Sequence, residues 1–119
     1  MNEIQNNKIY DLEERTAIFG ENVIILLKKL PRDSINNPLI NQGIRSSTSI
    51  GANYMEANGA ESKKDFIHKM HICKKEAKET MHWLRMISKA NPNYSTEIQS
   101  LRQEAKELSL IFSKICQSK

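Results

Sequence analysis

From Ser62 to Ala90 the chain reads Ser-Lys-Lys-Asp-Phe-Ile-His-Lys-Met-His-Ile-Cys-Lys-Lys-Glu-Ala-Lys-Glu-Thr-Met-His-Trp-Leu-Arg-Met-Ile-Ser-Lys-Ala, with no glycine or proline. Within it Phe66, Met70, Cys73, Ala77, Thr80, Leu84 and Ile87 recur at alternating steps of four and three. A helix turns once in ~3.6 residues, so this spacing draws one apolar stripe along one face. It is also the register in which helices cross at about 20° with knobs-into-holes packing. Ser62 stands where an N-cap belongs, with Asp65 three residues on in the capping-box position. The spacing predicts a helix over 62–90 built into a bundle.

Three further segments flank it, separated by Leu30-Pro31-Arg32-Asp33 through Asn37-Pro38, by Asn58-Gly59, and by Ala90-Asn91-Pro92-Asn93. A first helix is expected over about 11–30. Asp11 would cap it, with Glu14 answering, and Leu12, Phe19, Val23, Leu26, Leu27 and Leu30 would form the apolar face before Pro31 stops it. A second is expected over about 38–57, with Asn37 as cap, Pro38 at the first helical position, and Ile40, Ile44, Ser47, Gly51 and Tyr54 as its core face. A fourth, over about 95–117, carries Ile98, Leu101, Ala105, Leu108, Phe112 and Ile115 at three-four spacing. Loops of a few residues make sequence neighbours antiparallel. The expected fold is all-α: a single domain over residues 1–119, an antiparallel up-down-up-down four-helix bundle.

The chain has 119 residues, 39% of them hydrophobic and 27% charged, enough apolar material for one domain core. The longest wholly apolar run, Val23–Leu27, is far short of the ~20 residues that span a bilayer. The opening Met1-Asn-Glu-Ile-Gln-Asn-Asn has neither basic n-region nor apolar h-region, so no signal peptide is expected. Cys73 and Cys116 do not form a disulfide framework. A cytoplasmic protein without a membrane role is the expectation. No phosphate-cradling glycine loop, CxxC pair or nucleophile elbow occurs, so no enzyme activity and no cofactor are expected.

Charge is distributed unevenly. The net charge is +4, yet residues 62–90 hold eight Lys and Arg against Asp65, Glu76 and Glu79, leaving the rest of the chain slightly negative. All three histidines lie in the same segment. Lys64, His68, His71, Lys75, Lys78, His82, Arg85 and Lys89 repeat at steps of four and three, roughly 150° round the helix from the core stripe. They form a cationic ridge about 38 Å long at ~1.5 Å per residue. Facing a phosphate backbone, such a ridge releases condensed counterions and binds with salt-sensitive affinity. Few aromatics accompany it, which favours shape and backbone recognition of structured RNA or DNA over base stacking. A solvated polar face is the plainer reading of the same pattern, since the outward side of any bundle helix is polar. A scaffold whose partner is another protein is the alternative function.

Two features point to self-association. Gly43, Ser47 and Gly51 fall at i, i+4 and i+8, where each glycine costs a helix interior roughly 1 kcal/mol against alanine and close backbone approach would compensate. On the third helix Ile72, Trp83, Met86 and Ala90 lie off the core stripe, and an exposed apolar stripe marks a partner surface. Gly43, Ser47, Gly51, Ile72, Trp83 and Met86 are therefore the expected oligomer interface. Arg45, Ser49, Asn53 and Glu56 form a polar row opposite the second helix's core. A metal centre is not expected. Glu79-x-x-His82 has di-iron spacing, but it occurs once and points outward, as does His68-x-x-His71. Cys73 sits in the core stripe as a small hydrophobe.

The stretch from Ile44 to Leu84, above all Thr48-Ser-Ile-Gly-Ala-Asn53, Glu56 and Ser62-x-x-Asp-Phe-Ile67, resembles a family of bacterial four-helix-bundle proteins. That family was first noticed as reading frames inside intervening sequences of 23S ribosomal RNA. The accessory variability protein of diversity-generating retroelements looks like a relative. With the first and last helices compatible in length, the resemblance spans nearly the whole chain. It implies a homopentamer of antiparallel bundles arranged as a barrel. For the retroelement relative it also implies binding of nucleic acid and a reverse transcriptase through basic surfaces. Arg45, Asn53 and Glu56 match the family's polar motif, and no catalytic residues come with it. Two departures stand out: Glu56-Ala57 replaces the common Glu-Gly, and Cys73-Lys-Lys-Glu76 stands where Ala-x-Gly-Ser is frequent, putting charges in place of small residues.

Overall fold

The structure is a computed structural model that describes residues 11–117. Residues 1–10, with the opening segment read above for a signal peptide, and residues 118–119 lie outside it. Four α-helices follow in order: α1 Leu12–Leu27, α2 Asn36–Asn58, α3 Lys63–Ala90 and α4 Ser95–Gln117, with a 3-10 turn Pro92–Tyr94 before α4. No strand occurs among the described residues.

Each helix packs on its chain neighbours, and α4 returns to α1, while the Cα atoms of the pairs α1/α3 and α2/α4 stay more than 8 Å apart; the Tyr54 ring of α2 and the Phe112 ring of α4 still meet across the core, their centroids 6.4 Å apart. The contacts pair rising numbers on one helix with falling numbers on the next. Thr16, Gly20 and Leu27 of α1 lie beside Gly51, Ser47–Thr48 and Gly43 of α2. Glu56 and Arg45 of α2 meet Lys69 and Glu76 of α3. Arg15 of α1 and Lys29 just past its end meet Glu104 and Glu97 of α4.

Capping follows local chemistry more closely than position. Ser62 Oγ accepts from the Asp65 amide at 3.0 Å, as the capping box requires. At α2 the cap comes from Asp33, not Asn37. Its Oδ1 accepts from the Ile35 and Asn36 amides at 3.0 and 2.7 Å, and its carbonyl accepts from Asn37, so Asn37 is already helical. Pro38, lacking an N–H, fits the same unpaired first turn. Asp11 precedes α1 but makes no side-chain capping bond. That helix ends at Leu27, three residues before the expected stop, because Lys29 and Leu30 donate to Leu26 and Leu27 in a tightened last turn. Leu30 is buried all the same.

The core is continuous along all four helices, with Phe19, Leu27, Ile40, Ile50, Met70, Leu84, Ile87, Ile98, Leu108 and Phe112 among its fully buried side chains. Each large side chain taken out of water stabilises the fold by roughly 1.5–3 kcal/mol. The stripe of α3 holds from Met70 to Ile87, and Phe66 is half-buried at its end. On α2 the buried row is Asn36, Ile40, Gly43, Ser47, Ile50, Tyr54 and Ala57. The expected Ile44 and Gly51 are only half-buried, displaced by Gly43 and Ile50. Space decides this: a Cβ on Gly43 would lie 3.2 Å from Ile87 Cδ1 and 3.4 Å from Leu27 Cδ1.

Buried polar groups are paired. Asn36 and Asn91 exchange amide hydrogen bonds at 3.1 and 2.9 Å and also donate to the Pro31 and Ile87 carbonyls, tying the start of α2 to the end of α3. The Thr80 hydroxyl donates back to the Glu76 carbonyl at 2.8 Å and shares a hydrogen bond of 2.9 Å with the Ser46 hydroxyl across the α2/α3 seam. Such bonds contribute about 0.5–1.5 kcal/mol each when made and cost more when one partner is lost.

Candidate nucleic-acid interface

The α3 stripe that faces the core fixes what its opposite side presents. Lys64, His68, His71, Lys75, Lys78, His82, Arg85 and Lys89 are all exposed and follow one another along the helix. Lys75 Nζ lies 4.0 Å from Glu76 Oε2, and His82 meets the Trp83 ring edge-on at a centroid distance of 5.0 Å. The other six have no hydrogen-bond or ion-pair partner among the described residues. A phosphate approaching this face would have no ion pair to break at Lys78, Arg85 or Lys89.

The acids of the same helix are held to one side. Glu76 is 6% exposed and accepts from Arg45 Nη1 at 3.3 Å. Glu79 accepts from Arg45 Nη2 and, at 3.2 Å, from Trp83 Nε1. Arg45 of α2 therefore closes two carboxylates into a cross-helix cluster on the flank of the ridge. Glu56 pairs with Lys69 at 2.7 Å, and that contact raises the lysine's pKa. Ser49 and Asn53 bond to backbone carbonyls of their own helix, Arg45 and Ser49 respectively. The polar row of α2 is thus a set of crosslinks to α3 and of bonds back to its own turn. The pairing of Arg45 with Glu76 and Glu79 was not legible along the chain, because it depends on which flank of α3 meets α2.

The small residues of α2 have a use different from the expected one. Gly43 and Ser47 are buried inside the chain and offer no surface to a second copy. Gly51 lies against α1, where a Cβ would come within 3.3 Å of Thr16 Oγ1. Close approach is the reason for these residues, and the approaching helices are α1 and α3 of the same chain. Ile72, Trp83 and Met86 are half-buried on α3 and keep part of their surface open.

Neither cysteine is arranged for chemistry. Cys73 Sγ lies 3.7 Å from the Ile50 carbonyl, and burial pushes its pKa up to about 12. Cys116 is half-buried and its thiol is also raised, chiefly by desolvation. No group of three or more metal-ligating side chains comes together among the described residues. Glu79 is engaged by Arg45 and Trp83, while His82 of the same Glu-x-x-His spacing is on the exposed ridge. No helix of the described residues is long and apolar enough to cross a membrane.

No curated protein matches the chain in sequence. Its structure is similar to the crystal structure of a protein of unknown function from the S23 ribosomal protein family of Bacteroides thetaiotaomicron. That likeness has a TM-score of 0.76 at 30% identity and covers 87% of this chain and 96% of the other. The model of the 23S rRNA-intervening sequence protein family matches residues 8–114, which includes every helix of the described residues almost to the end of α4. With the four helices of its described residues sharing one core and nine-tenths of its length matched, the chain belongs to the 23S rRNA-intervening sequence protein family.

Proposed function

We propose that the protein is a non-enzymatic, cytoplasmic nucleic-acid-binding bundle of up-down-up-down topology that works as a homo-oligomer, a pentameric barrel. The observation that carries the reading is the exposed row from Lys64 to Lys89, eight side chains in one line on α3. The family's name, which refers to 23S rRNA, supports nucleic acid as the partner. Assembly would multiply the effect: five copies would concentrate about +20 of net charge on one particle and steer polyanions at low salt. The half-open Ile72, Trp83 and Met86 are the residues of α3 offered to a neighbouring copy.

Lys75, Lys78 and Arg85, at the middle of the ridge, make the central backbone contacts. Fluorescence anisotropy with a labelled structured RNA and a matched DNA duplex tests this, comparing wild type with Lys75→Glu/Lys78→Glu/Arg85→Glu at two salt concentrations. Wild-type binding should weaken steeply with salt, and the triple variant should lose at least about a hundredfold in affinity at low salt while keeping its mass. Equal binding by the variant removes the ridge as a nucleic-acid surface. A protein scaffold then becomes the better reading. The exposed apolar side chains Ile18, Ile25, Met55 and Leu110 favour it, and capture of one defined protein that survives nuclease would support it.

A further inference from the structure

Where α3 ends and α4 begins, the surface sinks into an open hollow of about 530 Å³. Arg85 and Lys89 of α3 line one side, Arg102 of α4 lines the other, and Ser88 and Ser95 complete its polar lining. No carboxylate borders it. Arg85 and Lys89 are exposed, lie one helical turn apart, and have no partner among the described residues. Arg102 is half-buried and anchored: its Nε donates to the Met81 carbonyl at 3.3 Å and its Nη1 to Gln99 Oε1 at 3.2 Å. Those two bonds leave most of the five N–H donors of the guanidinium for a ligand. A second hollow shares Ser88 and Ser95 and continues along α4 past Gln99, again without a carboxylate in its lining.

Three cations from two helices around one acid-free concavity, one of them held in place by the backbone, form a receptor for a tetrahedral dianion or a phosphodiester. Arginine offers paired donors matched to phosphate oxygens, and an anchored arginine loses little side-chain entropy on binding. We propose that this hollow is a phosphate-binding site, and that its phosphate comes from a nucleic-acid strand leaving the ridge at Lys89 and crossing onto α4. The inference rests on the reading of α3 as a nucleic-acid surface and deepens it. It adds Arg102, which no pattern along α3 could reveal, and it gives the ridge a defined end.

The test compares anisotropy titrations of a labelled RNA hairpin across wild type, Arg102→Gln, Ser95→Glu, Arg85→Gln/Lys89→Gln and Lys75→Gln/Lys78→Gln. Melting curves with and without inorganic phosphate, at matched ionic strength, are run on each. Arg102→Gln should weaken RNA binding about three- to tenfold and lower the slope of log affinity against log salt by about 1. Arg85→Gln/Lys89→Gln, at residues that ridge and hollow share, should weaken it at least as much, and Ser95→Glu, which puts a carboxylate into the hollow away from the ridge, should weaken it too and keeps the test decisive if Arg102→Gln folds poorly. Weakening by Lys75→Gln/Lys78→Gln with no effect of Arg102→Gln or Ser95→Glu overturns the hollow and leaves the ridge standing. If wild type binds no nucleic acid, yet phosphate raises its melting temperature and not that of Arg102→Gln, the phosphate site stands and the strand as its source is overturned. No response to either ligand overturns both.

Discussion

The Cα atoms of helices α1 and α3 stay more than 8 Å apart, and the two helices use their outer faces in opposite ways. The outer row of α3 is cationic throughout and contains none of the large exposed hydrophobics. That of α1 shows Ile18, Ile24 and Ile25, the first and last of them 44% and 57% exposed, among Glu13, Glu14 and Glu21. At 28 residues α3 is flanked on both sides by long seams, whereas α1, at 16 residues, is pinned to α4 chiefly by Arg15 on Glu104 and Glu107 and by Lys29 on Glu97. The contrast teaches that inner and outer stripes of a bundle helix are set independently. The inner stripes of both helices obey the same packing rule, while the outer ones carry opposite charge and differ in polarity. A patch of one sign on a body that carries the other sign elsewhere orients the molecule in the field of a polyanion.

The sharpest way to break this contrast is to attack the inner stripe of α3. Leu84→Ala removes a fully buried side chain and should lower unfolding free energy by about 2–5 kcal/mol in urea titration. Lys78→Ala, six residues earlier on the outer row, should change it by no more than about 0.5 kcal/mol. The inner stripe also carries a pH signature. Cys73 stays protonated in the folded state up to about 12, whereas the unfolded thiol ionises from about 8.5. Its contribution to stability is therefore complete below the unfolded value and is lost as pH rises towards 12. Denaturant midpoints should fall above about pH 9 and fall less steeply in Cys73→Ala. Tyr54, also raised by burial, adds a slope of the same sign that survives in that variant. The smallest stability effect is expected on the outer row of α1. Ile25→Lys should leave stability within about 0.5 kcal/mol and, for the proposed assembly, the particle mass in light scattering unchanged, while Trp83→Glu should lower that mass. A fall in mass for Ile25→Lys would place α1 rather than α3 at the subunit contact.

Much of this was legible along the chain. The rows of α3 and α4 could be read because bulky residues alone mark them, and the ridge followed by geometry from the stripe opposite. On α2 the reading slipped by one residue twice, at Ile44 for Gly43 and at Gly51 for Ile50. In both places an isoleucine and a glycine stand side by side, and hydrophobicity points to the isoleucine wherever the spacing allows. At the first place a Cβ would press on the ends of Ile87 and Leu27, so the glycine takes the buried position. The cap at Asp33 was missed because the side chain reaches forward over a turn that the pattern of α2 does not include. Arg102 and the partners of Arg45 were illegible for one reason: each is defined by contact with a different helix, and no periodicity within one helix encodes that.

The Arg45 cluster has a consequence for how variants of this protein would be interpreted. Arg45 does not belong to the ridge, yet it neutralises Glu76 and Glu79 beside it. Its loss would strand a nearly buried carboxylate and bare another within the field that a polyanion meets. Under the proposed binding of a polyanion by the ridge, a residue outside the contact would then score as a binding residue in any functional screen. Rescue by removing Glu79 as well would tell a guard from a contact.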